Sequence, residues 1–444
     1  MLENILELLR TRRYMEIRSL LEESNIVDVA DLFDQLDDEY TVVIFRLLPK
    51  GMAADVFSYM ETDTQKHIVE SITDRELSGI IDELFLDDAV DFIEEMPANV
   101  VKRVLANTGK EKRTLINRFL KYEEDTAGSL MTIEFVGLKK EMTVRDAFDT
   151  IRRTGPDKET IYTLYVMDEN RKLEGIVSAK DLLLAHIDEK VEDIMDSNVI
   201  YVSTDEDREE IANLFQKYDF LSLPVVDRER RLVGIITIDD AVEALQQENT
   251  EDFELMAAMT PSEAPYLKTG VFAHAKRRVL WLVLLMLSSI FAGSILTKFQ
   301  DSFAVMPILV SFMPMLMNTG GNCGSQASTL IIRGLSLGEI QGRDALRVWW
   351  REIRIAVLCG IVLSLVSLLR IYFFYDHNFA LGLVVAISLL ATVIIAKSVG
   401  CLLPIGAKKL GLDPAIMASP IITTIVDICA LALYFTVAKM ILHI

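Results

Sequence analysis

Asp427 stands by itself in the last apolar run of the chain, Pro420-Ile-Ile-Thr-Thr-Ile-Val-Asp427-Ile-Cys-Ala. A carboxylate at membrane depth is costly unless it faces water, a partner or an ion. A second irregularity interrupts an earlier apolar run, Asn318-Thr-Gly-Gly-Asn322-Cys-Gly-Ser-Gln326. Its glycines predict a loosened helix in which Asn318, Gly320, Gly321, Asn322 and Gln326 turn carbonyl and amide groups toward a cavity. Non-helical backbone at that depth is tolerated only where it is buried in protein or lines a cavity. Close helix packing through small residues is the structural alternative, but it explains only the glycines. Carboxylate, hydroxyl, amide and carbonyl oxygens are hard ligands, suited to Mg²⁺ or Ca²⁺ rather than to soft metals. Together the two features point to a cation pathway. Lys397, one span earlier, is a candidate partner for Asp427; its place in the sequence predicts instead that it sits toward the inner end of its helix and snorkels.

Acidic chemistry also fills the first half. Asp87-Asp-Ala-Val-Asp91-Phe-Ile-Glu94-Glu95 sets carboxylates along one side of a helix, which alone reads as a solvated face or a divalent-cation surface. A duplication follows, in which Gly175-Ile-Val-Ser178-Ala-Lys-Asp181 returns 59 residues later as Gly234-Ile-Ile-Thr237-Ile-Asp-Asp240. Ser178 and Thr237 are placed to cap the helices that follow, whose N-termini can receive an anion. Asp181 and Asp240 follow three residues on, and capping alone explains the pattern.

The elements that must hold these residues differ sharply along the chain. Before Leu280 there are 34 basic and 59 acidic residues; from Leu280 on there are 11 and 7. So acidic a first half excludes nucleic acid and anionic lipid as its partners and favours divalent cations or basic surfaces. All four cysteines lie in the apolar half, which fits a reducing compartment for the rest. The N-terminus has no cationic start and no unbroken apolar core, so no signal peptide is expected. Residues 1 to about 125 read as short amphipathic helices, with Asp31-Leu-Phe, Asp55-Val-Phe and Asp91-Phe-Ile returning at spacings near 12 or 24. Units so short must stack into a superhelix to bury their apolar sides.

A Pro- and Gly-free stretch from Asp239 to Met259 predicts a long connecting helix, either a lever or a passive spacer, continuing through Pro261 and Pro265 to Lys276-Arg277-Arg278. Five apolar spans follow, near 279–298, 303–332, 353–375, 379–403 and 415–441, each long enough to cross a membrane. Positive charge gathers before the first span, between the second and third (Arg333, Arg343, Arg347, Arg351, Arg354) and between the fourth and fifth (Lys408, Lys409). The opposite loops hold little beyond Lys298, Asp301, Asp376 and His377. That asymmetry predicts a cytoplasmic N-terminus and an external C-terminus. Trp349-Trp350 suits an interfacial anchor.

The β-α-β-β-α order of residues 129–245, with its strand–Gly–strand–Ser/Thr-x-x-Asp pattern, resembles a tandem pair of CBS domains. That resemblance implies adenine-nucleotide binding at Ser178, Asp181, Thr237 and Asp240, with ATP or a related nucleotide as regulator. The chain as a whole resembles the MgtE family of magnesium channels, most specifically in Tyr122-Glu-Glu-Asp-Thr-Ala-Gly-Ser-Leu-Met131, in Asn318-Thr-Gly-Gly-Asn322-x-Gly-x-Gln326 and in Asp427 seven residues after Pro420.

The expected architecture is multidomain. An all-α superhelical domain (1–128) precedes an α/β CBS pair (129–193 and 194–245). A connecting helix and linker (239–270) then lead to an all-α polytopic membrane domain of five transmembrane helices (271–444).

The family implies a plasma-membrane homodimer with its pore on the two-fold axis and Asp427 as the intrapore aspartate. It also implies Mg²⁺ feedback, in which ions bound between helical domain, CBS pair and connecting helix hold the pore shut. The residues matching its sensing positions are Asp55, Asp87, Asp91, Glu209, Asp219, Asp240, Glu243, Glu248, Glu251 and Asp252; Asp55 and Glu243 exchange Asp and Glu relative to the family pattern. Two other readings compete, an ion-coupled divalent cation exchanger and a membrane-tethered nucleotide sensor. An enzyme is not expected, since no nucleophile–base pair or phosphate-binding loop stands out.

Overall fold

Short helices separated by two- to four-residue turns build the first 120 residues, as the 12-residue spacing requires. In the computed structural model, which describes residues 1–262, 266–267, 269–300, 306–375 and 378–443, helices α1 to α10 run from Leu2–Arg10 to Lys110–Phe119. Pro265, Asp301, Asp376 and His377 lie outside the described residues. The chain divides into two units, Met1–Leu245 and Gln246–Ile444.

In the first unit, α5 (Lys50–Ser58) packs on α3 (Ile26–Asp34) and α7 (Asp74–Glu83), and α7 on α9 (Ala98–Asn107). Each of these helices thus buries its apolar side against the helices two places away, the superhelical solution. Phe33, Phe45 and Phe57, spaced by twelve, meet edge to face at 6.0 and 6.3 Å, and Phe57 meets Phe92 at 5.1 Å. Such pairs add about 0.5–1.5 kcal/mol each beyond burial.

The duplication folds as two three-stranded sheets. β1 (Gly137–Leu138) lies parallel to β2 (Thr163–Met167), which pairs antiparallel with β3 (Leu173–Ser178). β4 (Val202–Ser203), β5 (Ser222–Val226) and β6 (Leu232–Thr237) repeat this order. The 59-residue displacement holds to the register: Thr163 faces Ser178 as Ser222 faces Thr237, and Val166 faces Gly175 as Val225 faces Gly234. The repeats also exchange their leading segments. A Cβ on Gly234 would strike Met131 Sδ and the Thr132 carbonyl, both at 2.7 Å, and one on Gly175 would strike Met195 Sδ at 2.8 Å. The Met131 segment thus packs on the second sheet and the Met195 segment on the first.

α16 (Ile238–Met256) is unbroken over 19 residues, about 28 Å. In the second unit, α17 (Val271–Lys298), α19 (Ala345–Phe374), α20 (Phe379–Lys409) and α21 (Ser419–Leu442) belong to the four segments long and apolar enough to cross a membrane. α18 (Met313–Ser336) is a further long helix, whose central polar run keeps it out of that group. Of the expected second span, near 303–332, residues 303–305 lie outside the described residues, Pro307–Phe312 form a 3-10 turn, and α18 follows from Met313. α18 is clasped between α20 and α21.

Candidate cation sites

The acidic helix α8 (Leu86–Glu94) faces the start of α16 within the first unit. Asp87 is buried, and its Oδ1 accepts the Asp88 N–H at 3.0 Å. Burial, then the charges of Asp240, Asp88 and Glu159, push its carboxyl well above the usual carboxylate range. Burial and the charges of Asp239 and Asp55 raise Asp88 to about 6. Asp240 is raised to about 7 by burial, against the hydrogen bond from Thr237 and with the charge of Asp239 adding. Glu159 is raised to about 8 by burial and then by Asp88 and Asp240. Asp91 keeps one side open to solvent, yet lost hydration and the charges of Asp240, Glu94, Asp88 and Glu243 raise it too.

These groups share one physical problem, that several charged oxygens are gathered with a single ammonium, Lys112, acting on them among the described residues. Among the described residues none of Asp87, Asp88, Asp91, Glu159 and Asp240 forms an ion pair, and Glu159 Oε2 is buried with no hydrogen-bond partner. Lys112 is close by. Its ammonium donates to the Leu84 and Asp82 carbonyls at one wall of a cavity of about 800 Å³, which Asp55, Glu83 and Glu134 also line. An orphaned buried carboxylate oxygen beside several unneutralised ones fits a hard divalent cation. Among the described residues no three His, Cys, Asp or Glu side chains converge as a closed metal cage.

The sensing set implied by the sequence is thus only partly gathered. Asp87, Asp91, Asp240 and Glu243 act on one another, and Asp55 lies at the edge, raised by burial and by Glu83. Glu209 and Asp219 stand at opposite ends of α15 (Arg208–Tyr218), Asp219 as its left-handed C-cap with φ 55°. Ten residues separate their levels by about 15 Å, too far for one ion. Glu248, Glu251 and Asp252 ride on the second half of α16, where Ser336 donates to Asp252 Oδ2 at 3.4 Å. Asp88, Asp239, Glu134 and Glu159 were missed. Asp88 was visible within the acidic stripe and Asp239 beside Asp240, but Glu159 sits in an irregular segment with no periodic signal.

The two Ser/Thr-x-x-Asp sites are built alike. Ser178 Oγ donates to Asp181 Oδ2 at 2.5 Å and accepts the Asp181 N–H at 3.0 Å, capping α13 (Ala179–Leu184). Thr237 Oγ1 donates to Asp240 Oδ2 at 2.6 Å. Asp181 is exposed, whereas Asp240 is committed to the acidic junction. The duplication has therefore left one open hydroxyl–carboxylate site and one enlisted elsewhere.

In the second unit the expected break in α18 does not occur, and the helix runs unbroken through Asn318–Gln326. The glycines are there for close approach. A Cβ on Gly320 would lie 2.7 Å from Val426, on Gly321 2.9 Å from Thr423, and on Gly324 2.6 Å from Ile422. On Gly400 it would lie 2.3 Å from the Gly324 carbonyl. Gly320 and Gly321 are accordingly buried against α21, while Asn318, Asn322 and Gln326, four residues apart, form one exposed polar face. The contacts Gly321–Thr423 and Ser325–Ser419 (2.6 Å) run antiparallel and set Asp427 at the level of Asn318. Asp427 is half-buried and, among the described residues, has no hydrogen bond or ion pair.

Lys397 neither snorkels nor meets Asp427. It is buried about 18 Å from the end of α20, and its Nζ lies 3.5 Å from Oε2 of the equally buried Glu352 on α19. Little of the Lys397 side chain is open to water there, and a carboxylate within the bundle takes its place beside the ammonium. Glu352 was not anticipated, because nothing local in the sequence links residues 45 apart. Trp349 Nε1 donates to Ser398 Oγ at 3.2 Å and Trp350 is exposed, so only Trp350 is free to act as an anchor. At the other end of the unit, Leu255 and Met256 of α16 pack on Ile332 of α18 and on Ala415 and Ala418, which lead into α21.

The model of a family described as a divalent cation transporter, MgtE, matches residues 313–437; that of the MgtE intracellular N domain matches 24–125, and the CBS domain matches 127–188 and 191–247. The magnesium transporter MgtE of Thermus thermophilus is 38% identical over 431 residues, 96% of this chain and 95% of that protein. The magnesium transporter MgtE of Bacillus subtilis is 32% identical over 443 residues, 99% and 97% of the two chains. A crystal structure of the cytosolic domain of the Mg²⁺ channel MgtE in complex with ATP is similar at 39% identity with TM-score 0.51, covering 55% of this chain and 98% of that one. The soluble part of a magnesium transporter is similar at 30% identity with TM-score 0.53, covering 56% and 97%.

Proposed function

This chain belongs to the MgtE family of divalent cation transporters, a membrane protein and not an enzyme, and from that premise we propose that it is a Mg²⁺-gated Mg²⁺ channel. The observation that carries the reading is Asp427, a carboxylate without a partner among the described residues, level with the polar face of Asn318, Asn322 and Gln326 on α18. A carboxylate retained there is stabilised by what passes it. In a homodimer with α18 as the fifth transmembrane helix, two such faces line one axis, and two Asp427 side chains hold Mg²⁺ through its retained water shell. The soluble parts lie in the cytoplasm and the C-terminus outside the plasma membrane, supported by the basic residues at one end of the helices.

Gating follows from the unbalanced junction. With little Mg²⁺, the carboxylates of α8 and α16 repel and the junction loosens. With ample Mg²⁺, bridging ions draw α8 onto the start of α16, whose far end bears on α18 and the entry to α21. Ions bias this equilibrium only through their higher affinity for the closed arrangement. The Ser178–Asp181 site suits an adenine nucleotide as a separate regulator, in line with the ATP complex of the relative. Reconstituted protein with Mg²⁺ varied inside the vesicles tests the reading. Flux is expected to fall as internal Mg²⁺ rises, and flux indifferent to it contradicts the sensing role.

A further inference from the structure

Glu352 and Lys397 are unused by the reading above, yet they are buried charges inside the helical unit. Their side chains keep only 9% and 7% of their surfaces exposed and stand 3.5 Å apart. Taking two charges out of water is costly, and their attraction repays it only in part. The pair therefore calls for an explanation other than stability.

Its surroundings supply one. Ala356, one turn beyond Glu352 on α19, and Ala396, beside Lys397 on α20, belong to a buried cluster with Cys323 of α18 and with Ile422 and Val426 of α21. Four helices meet there. Cys323 adjoins Asn322, and Val426 adjoins Asp427. The same level holds a close backbone approach of α18 to α20, where a Cβ on Gly400 would strike the Gly324 carbonyl and one on Gly324 would lie 3.3 Å from the Ala396 carbonyl. A shift of α20 against α19 would pass through these contacts to α18 with no soft side chain to absorb it.

We propose that the Glu352–Lys397 pair is an internal counter-charge that fixes this four-helix contact, so that both are positioning residues for Asn322 and Asp427 in the ion path. The ammonium is balanced by Glu352 and does not neutralise Asp427, which keeps its charge for the passing cation. The inference rests on the pore reading. Loss of one partner leaves a buried charge that must find water or another partner, and α19 and α20 must move to provide it. Loss of both removes that demand.

The test uses the full chain in liposomes, with Mg²⁺ and Ca²⁺ flux measured per folded molecule for Glu352→Gln, Lys397→Met, the double variant and Asp427→Asn. Each single variant is expected to lose about tenfold in Mg²⁺ flux and to change its Mg²⁺/Ca²⁺ ratio. The double variant is expected to return to within about threefold of the parent in flux and to the parent's ratio. A merely structural role would lower the yield of folded protein without moving the ratio. Singles with parental flux and ratio overturn the inference, and so does a double as impaired as the singles. Should the singles fail to fold, the double alone decides by the same criteria. Parental flux in Asp427→Asn instead overturns the pore reading, whatever the pair does.

Discussion

The two units treat clustered or buried carboxylates in opposite ways. In the helical unit Glu352 meets an ammonium of the same chain at 3.5 Å. In the first unit Asp87, Asp88, Asp91, Glu159 and Asp240 are gathered with no ion pair among the described residues, and Glu159 Oε2 lacks even a hydrogen bond. An acid with a resident partner is part of the framework. Acids left unbalanced make the fold depend on something mobile, a proton or a metal ion. Asp427 belongs to the second kind although it stands in the unit that contains the first.

The sharpest way to break this comparison is to remove the unbalanced charges. The triple variant Asp87→Asn, Asp91→Asn, Asp240→Asn relieves repulsion, so its Mg²⁺-free stability should rise. The stabilisation by Mg²⁺, about 2.7 kcal/mol at a hundredfold excess over Kd, should fall to near zero. Thermal unfolding of the fragment 1–262 with and without Mg²⁺ reads both, and an undiminished Mg²⁺ effect would contradict the assignment.

The helical unit should respond to steric rather than ionic change. Gly400→Ala forces a methyl against the Gly324 carbonyl, at a cost of about 2 kcal/mol. Unfolding of the full chain in mixed micelles should show that loss, independent of Mg²⁺.

Protons should imitate the metal at the junction. Asp88 is raised to about 6, Asp240 to about 7 and Glu159 to about 8. A carboxyl raised in the folded state contributes stability that is full below its unfolded value and lost as pH rises through the folded one. Mg²⁺-free stability should therefore increase as pH falls from about 8 to 6, by about 1.4 kcal/mol per unit for each fully titrating group. Mg²⁺ competes with those protons, so its stabilising effect should be larger at pH 8 than at pH 6, and melting curves at the two values check it.

The smallest effect belongs to the open hydroxyl site. Ser178→Ala removes the cap of α13 and should cost about 1 kcal/mol at any Mg²⁺ concentration, measured in the same melts.

How much of this was legible in the sequence depended on the range of the interaction. The 59-residue repeat carried the strand register itself, down to Gly175 and Gly234, because both copies must solve the same local problem. The returning phrases Asp31-Leu-Phe and Asp55-Val-Phe announced the stacked helices through their 24-residue spacing. The glycine run of α18 was read with the wrong local structure. A helix crossing a membrane keeps its backbone bonds closed, and these glycines yield space to Val426, Thr423 and the α20 backbone without breaking it. Lys397 was misplaced because its partner comes from another helix. Glu159 was missed for the same reason, since only the fold brings a loop residue onto the face of α8.

Asp427 decides the account most directly. Mg²⁺ flux should be recorded for the parent protein and for Asp427→Asn, reconstituted in parallel with Mg²⁺-free vesicle interiors so that the sensing junction is open in both. Near-complete loss of flux in the folded variant, with the Mg²⁺ stabilisation of the soluble part retained, is the predicted result. Parental flux through the variant would contradict the claim that an unpartnered carboxylate conducts the ion.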